Sequence, residues 1–251
     1  MLITAIRQFR QRIARLKTRQ RKQTQNRQSA EILEDRRLLT AVTVSPQEQL
    51  LVELVNRACA DPEAEAALYG IGLNDGLPPG TISSDAKQPL TLYQILTDVT
   101  ALHSLDMIDR DFFAHVNPDG DDWNDRAAAG GYQLSVAENL GIRATTGTIE
   151  ATSQTLIMHE ELIKSSGHRK NLMTDTHVEI GVGLETGNWI DVENIFGLGA
   201  GNSYDALLGT ENFGQPDLMY ITGVVYHDDV VADGFYTVGE GHGGITPEAQ
   251  L

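Results

Sequence analysis

Two histidines stand in polar loops, where an imidazole can reach a ligand. His115 follows Phe112-Phe113-Ala114 and precedes Val116-Asn117-Pro118-Asp119-Gly120. The phenylalanines anchor the segment while Pro, Asp and Gly turn the chain, so the ring is expected to project from the turn. His168 follows Ser165-Ser166-Gly167 and precedes Arg169-Lys170-Asn171. A neutral imidazole is a metal ligand, and near neutral pH it also gives and takes protons. The third group is Glu138 with Asn139, set in Val136-Ala137-Glu138-Asn139-Leu140. Small apolar flanks imply burial, and a buried carboxylate needs a partner, which a histidine or a metal ion supplies. Either histidine alone reads most simply as structural; the polar company of each favours a shared cleft.

Sharper motifs fail. His159-Glu160-Glu161-Leu162-Ile163 opens like H-E-x-x-H, but Ile163 takes the place of the second histidine, so the metalloprotease reading falls. Ser165 and Ser166 precede His168 without the G-x-S-x-G setting of a nucleophile elbow. Gly197-Leu198-Gly199-Ala200-Gly201 has no βαβ context and reads as a flexible insertion. Cys59 falls on a helical stretch and is expected to be an inert, partly covered thiol; a lone cysteine forms no internal disulfide.

The elements that must position these residues are mostly helical at first. Ser45 and Glu48 form a capping box, and Leu50, Leu51, Leu54, Val55 and Ala58 repeat at helical spacing up to Asp61-Pro62. A Gly/Pro-rich loop from Gly70 to Gly80 follows. Helices are predicted over Leu90 to Asp109, Trp123 to Ala129 and Ala151 to Lys164, the last two stopped by Gly130-Gly131 and by Ser165-Ser166-Gly167. Strands are predicted over Glu179 to Leu184, Tyr204 to Phe213 and Met219 to Tyr226. Strands after and between helices argue for an antiparallel sheet flanked by helices.

Charge divides the chain. Residues 1–40 hold 11 of the 19 Lys and Arg; residues 41–251 carry 8 basic against 32 acidic side chains, a net of −24. An acidic body of that kind repels nucleic acid and anionic membranes and attracts divalent cations. No run of about 18 apolar residues is present, so no transmembrane helix is expected.

Taken together, these segments resemble the CAP superfamily (SCP/PR-1-like), in its bacterial form. Leu51 to Ala58 resembles the family's first helix. Phe112 to Gly120 resembles F-x-H-x-N-P-D-G, Ala137-Glu138-Asn139-Leu140 resembles G-E-N-[IL], and Ser165 to Met173 resembles S-P-G-H-R-x-N-[IL]-[LM]. Glu179 to Gly183 and Tyr204 to Phe213 are similar to its later strands, and the matches, in the family's order, cover roughly residues 46–214. The resemblance implies a three-layer α-β-α sandwich with a central antiparallel sheet. It also implies a cleft with His115, Asn117, Glu138, Asn139, His168 and Asn171. The family's fourth cleft residue, an acid, follows a Trp; Leu162 stands at that Trp position here, and Glu160 and Glu161 are the nearby acids, of which Glu161 is assigned to the cleft.

Two imidazoles could ligate Zn²⁺ at about 2.0–2.1 Å, with Glu138 orienting an imidazole or a bound water. Three functions follow as expectations: a metal-binding module that also takes a small ligand or lipid, a metal-assisted peptide or ester hydrolase with Glu138 as general base, and a structural surface protein. The last rests on the tail, residues 217–251, where Asp229, Asp233, Gly234 and Glu240 fall at positions 1, 5, 6 and 12 of a calcium loop, with Val231 in place of a ligand. Ile221 to Tyr226 and Asp233 to Gly241 resemble the start of a bacterial cell-surface β repeat. Residues 1–41 are read as a basic export segment, because Ala30 to Ala41 resembles the L-E-x-R-x-L-L-[ST]-A stretch of planctomycete surface proteins, with Asp35 in place of Pro. The mature chain is then expected to begin near Ala41 or Val42, outside the cell.

Overall fold

The structure is a computed structural model; it describes residues 42–218, 220, 222–226, 235, 236, 238 and 242–245. The first helix, α1 (Pro46–Ala60), starts on the capping box that Ser45 and Glu48 announce. Asp61 closes it and caps a second helix, α2 (Pro62–Leu68), by accepting from the Ala64 N–H at 3.0 Å. The next stretch, expected to be helical from Leu90, begins as a two-residue strand β1 (Thr91–Leu92), and only then does α3 (Gln94–Asp109) start. Pairing of β1 with a later strand outweighs local helical periodicity there. The remaining elements are α4 (Trp123–Gly130), β2 (Val136–Thr145), α5 (Ala151–Lys164), α6 (Ser166–Leu172), β3 (Glu179–Asp191) and β4 (Asn202–Gly214). A separate antiparallel hairpin, β5 (Gly223–Tyr226) with β6 (His242–Ile245), follows.

The main sheet has the order β1-β3-β4-β2. Its three long strands are antiparallel; the short β1 adds to β3 in parallel. Side chains alternate between the two faces. One face carries Ile180, Val182, Leu207 and Phe213 and packs on Leu51 and Val55 of α1, Met158 and Leu162 of α5, and Leu172 of α6. The other carries Leu140, Trp189, Ala206 and Leu208, covered by Met107 and Ile108 of α3, while Val136 packs with Leu96 of α3 and Ala127 of α4. Helices on both faces of one sheet make the α-β-α layering.

The closest approach is that of α3 to β3. A Cβ added at Gly181 would lie 2.2 Å from the Leu96 carbonyl carbon, and one at Gly183 would lie 2.3 Å from the Ala101 nitrogen. The two glycines let the helix backbone rest on the strand backbone. Trp189, fully buried, closes the far end, its indole N–H donating to the Phe112 carbonyl at 3.3 Å. That bond fixes the chain three residues before His115.

Candidate functional site

The site forms where β2 borders the sheet. Successive residues of a strand face opposite ways, so Glu138 turns towards α3 and α4 while Asn139 turns towards α5 and α6. The His115 ring stands against Glu138, its Nδ1 donating to Oε1 at 2.9 Å. The other carboxylate oxygen accepts from Arg126 Nη2 at 2.6 Å. Arg126 Nη1 also donates to the carbonyls of His115, at 2.8 Å, and Asp121, at 2.9 Å. One guanidinium thereby ties the carboxylate to the loop that carries the histidine. The Glu138 side chain is 1% exposed and that of His115 is 44% exposed. The carboxylate is therefore enclosed and the imidazole opens to solvent.

Because Glu138 accepts at Nδ1, the proton of neutral His115 sits on that nitrogen and Nε2 keeps its lone pair. The indole of Trp123 meets the ring edge to face, with centroids 5.5 Å apart. Beside them lies an open hollow of 430 Å³, lined by His115, Trp123, Asn124, Ser135, Val136, Ala137, Glu138 and Asn171. Both oxygens of Glu138 are engaged, so this carboxylate is built to orient His115 and not to take a proton from a ligand.

His168 approaches around the strand edge. Ser165 ends α5 and starts α6 at once, which turns the chain and delivers His168 in the first turn of α6. Two amides dock this helix on β2. Asn139 Nδ2 donates to the His168 carbonyl at 3.3 Å, and Asn171 Nδ2 donates to the Glu138 carbonyl at 3.2 Å and to Asn139 Oδ1 at 3.0 Å. Arg169, fully buried, bonds only carbonyls: Leu73 at 2.9 Å, Ile163 at 2.7 Å, Lys164 and Asp75. It joins the end of α5 to the Gly/Pro-rich loop and holds α6 in place. Burial, and then the charge of His115, lower the pKa of His168. The two rings are thus within electrostatic reach, and His168 is favoured as the neutral base. Among the described residues the His168 ring makes no hydrogen bond.

Other expected site residues lie elsewhere. Asn117 builds its own turn, accepting from the Asp119 and Asp121 N–H groups at 3.1 and 2.8 Å. Glu161 is exposed and paired with Arg143, and Glu160 pairs with Lys164. Neither lines the hollow. Asp229, Asp233 and Glu240 of the expected calcium loop, and residues 1–41, read from the sequence as an export segment, lie outside the described residues. Among the described residues no three His, Cys, Asp or Glu side chains form a metal-binding group. Cys59 is buried deeper than expected, its Sγ donating to the Leu172 carbonyl, and burial pushes its thiol up to about 12.

Several contributors went unread in the sequence. Arg126 is the principal one, and the signal was available: it is one of few cations in an acidic body. His103 of α3 lies behind it, donating from Nε2 to the Ala114 carbonyl at 3.2 Å; burial and the Arg126 charge hold it down at about 4. Asn124 accepts from the Val136 N–H and the Ser135 hydroxyl, each at 3.0 Å. Glu211 of β4 is fully buried, with one oxygen accepting from Asn139 at 3.0 Å and the other without a partner. Burial pushes its carboxyl up to about 7.

No known family model matches the chain, and no curated protein matches it. Solved structures share parts of its architecture. An extracellular SCP-domain protein from Bacillus anthracis is 26% identical over 52% of this chain, with a TM-score of 0.34. The chain spans 35% of that protein's length. The structure of NaASP2 with Zn²⁺ is 8% identical, covers 69% of this chain and 81% of its own, and gives a TM-score of 0.39. An outer surface protein from Borrelia burgdorferi is 10% identical over 70% of this chain and all of its own, with a TM-score of 0.38. Overlaps of this size record a similarity of parts.

Proposed function

We propose that the chain is an exported CAP-superfamily domain that works as a binding module. In this reading His115 and His168 hold a divalent cation, and the hollow that His115 lines takes a small ligand. The observation that carries the reading is the Arg126–Glu138–His115 bridge. It fixes the imidazole through Nδ1 and leaves Nε2, on a half-exposed ring, as a free electron pair beside an open hollow. The spaced motifs at His115, Glu138 and His168 support the family. The resemblance of residues 30–41 to an export stretch and the acidic body support a place outside the cell or on its surface. Among the described residues no helix is long and apolar enough to cross a membrane.

The donor set suits zinc in a limited way. His115 offers Nε2 and His168 an unbonded ring, while Glu138 stands behind as the orienting partner. Two imidazoles with no third protein ligand among the described residues make an exchangeable site completed by water. The ion would supply a Lewis-acidic point for a ligand oxygen. A hydrolase reading is weaker, because Glu138 is fully engaged and His115 would have to act as the base.

Calorimetric titration with zinc tests the proposal. Saturable binding in the wild type, lost in both His115→Ala and His168→Ala and kept in Glu161→Gln, is expected. Binding that survives both histidine variants would place the ion elsewhere and remove the proposal.

A further inference from the structure

We infer that the hollow takes a short extended peptide, one residue of which pairs with the free edge of β2 opposite Ala137. The inference rests on the reading of the hollow as a binding site and names its ligand class. Among the described residues, strand β2 pairs with β4 alone and ends the sheet. In an antiparallel pair, residues whose N–H and C=O point at the partner alternate with residues whose groups point away. The Val136 N–H donates to Asn124 and the Glu138 carbonyl accepts from Asn171, both outside the sheet. Val136 and Glu138 therefore turn their backbone groups outward. The Val136 carbonyl and the Glu138 N–H must point the same way, into the hollow that these residues line.

One acceptor and one donor, flanking Ala137, match the N–H and C=O of a single residue in a strand running parallel to β2. The asparagines limit how far such pairing runs. Asn124 covers the donor before this pair and Asn171 covers the acceptor after it. Within the hollow, the edge left open is one residue long, which admits a short segment. A hollow of 430 Å³ has room for a few residues and not for a folded domain.

The charge of the ligand follows from the surroundings. Arg126 is committed to Glu138 and two carbonyls, so among the described residues no unpaired Lys or Arg lines the hollow. The net of −24 over residues 41–251 disfavours an acidic peptide. The fitting ligand is a neutral or basic extended peptide, its side chain resting by Trp123 and the His115 ring.

The test uses nitrogen-15-labelled protein and blocked acetyl-Ala-Lys-Ala-amide at millimolar concentration. The Glu138 amide signal is expected to move downfield and its hydrogen exchange to slow. A peptide methylated on every backbone nitrogen should produce neither change, since it cannot donate to the Val136 carbonyl. No response at the Glu138 amide, or an equal response to the methylated peptide, would overturn the inference. Adding zinc to the same sample separates the two claims. A response at His115 and His168 without a peptide response removes the peptide alone; silence to both removes the binding module as well.

Discussion

At the scale of single residues the arrangement depends on a carboxylate whose two oxygens are both taken by protein partners. Glu138 is enclosed and doubly bonded, and Arg126 supplies the buried countercharge. Removing one partner of such a pair leaves an uncompensated charge and costs about 3–5 kcal/mol. Arg126→Ala is therefore expected to lower unfolding free energy by that order in urea titration, and to release the ring of His115. Glu211 presents the opposite case, a buried carboxyl with no cation beside it among the described residues. Below its unfolded value of 4.5 both states are protonated; above it the unfolded chain ionises first, so stability falls between 4.5 and about 7. Glu211→Gln should unfold like the wild type at pH 4 and be more stable at pH 8, by on the order of 3 kcal/mol. Equal stability at pH 8 would show that the folded protein solvates this carboxyl. Of these residues the sequence made His115, Glu138 and His168 legible, because each sits in a short polar motif. Arg126 and Glu211 were not legible, because their meaning lies in partners that only the fold supplies.

At the scale of elements, capping and turn chemistry made α1, α4 and α5 readable almost to the residue. Strand β2 was hidden because both of its faces are covered near Glu138, which erases the alternation that marks a strand. Helix α6 was hidden because Ser165, read as a stop, is also the residue on which the next helix starts. The Gly181-x-Gly183 pattern read as an ordinary alternation, but it is the seat of α3. Gly181→Ala is expected to destabilise the protein by about 3 kcal/mol or more, since backbone atoms of Leu96 cannot give way. Gly167→Ala, which meets nothing within 4 Å, serves as the control and should change stability little. Equal melting temperatures for the two variants would mean that α3 stands farther from the sheet than described.

At the scale of the whole molecule, two groups lose stability to acid, the first of them against the gain that Glu211 makes as pH falls from about 7 to 4.5. His103 is held neutral down to about 4, so the unfolded chain takes up its proton first and stability is lost between 6.5 and about 4. Burial raises Glu65, but its hydrogen bonds to Arg57 and then His159 outweigh that and hold it at about 2; its contribution is present above 4.5 and lost as pH falls towards about 2. The layered α/β arrangement followed from motifs in register along the chain, while the meeting of the His115 loop and helix α6 at one strand edge needed the structure. Nitrogen-15 spectra of the histidine side chains report on that meeting. His115 is expected to carry its proton on Nδ1, and zinc to shift the His115 and His168 ring nitrogens together at one stoichiometric point. A His115 ring protonated on Nε2, or a His168 ring indifferent to the ion, would contradict it.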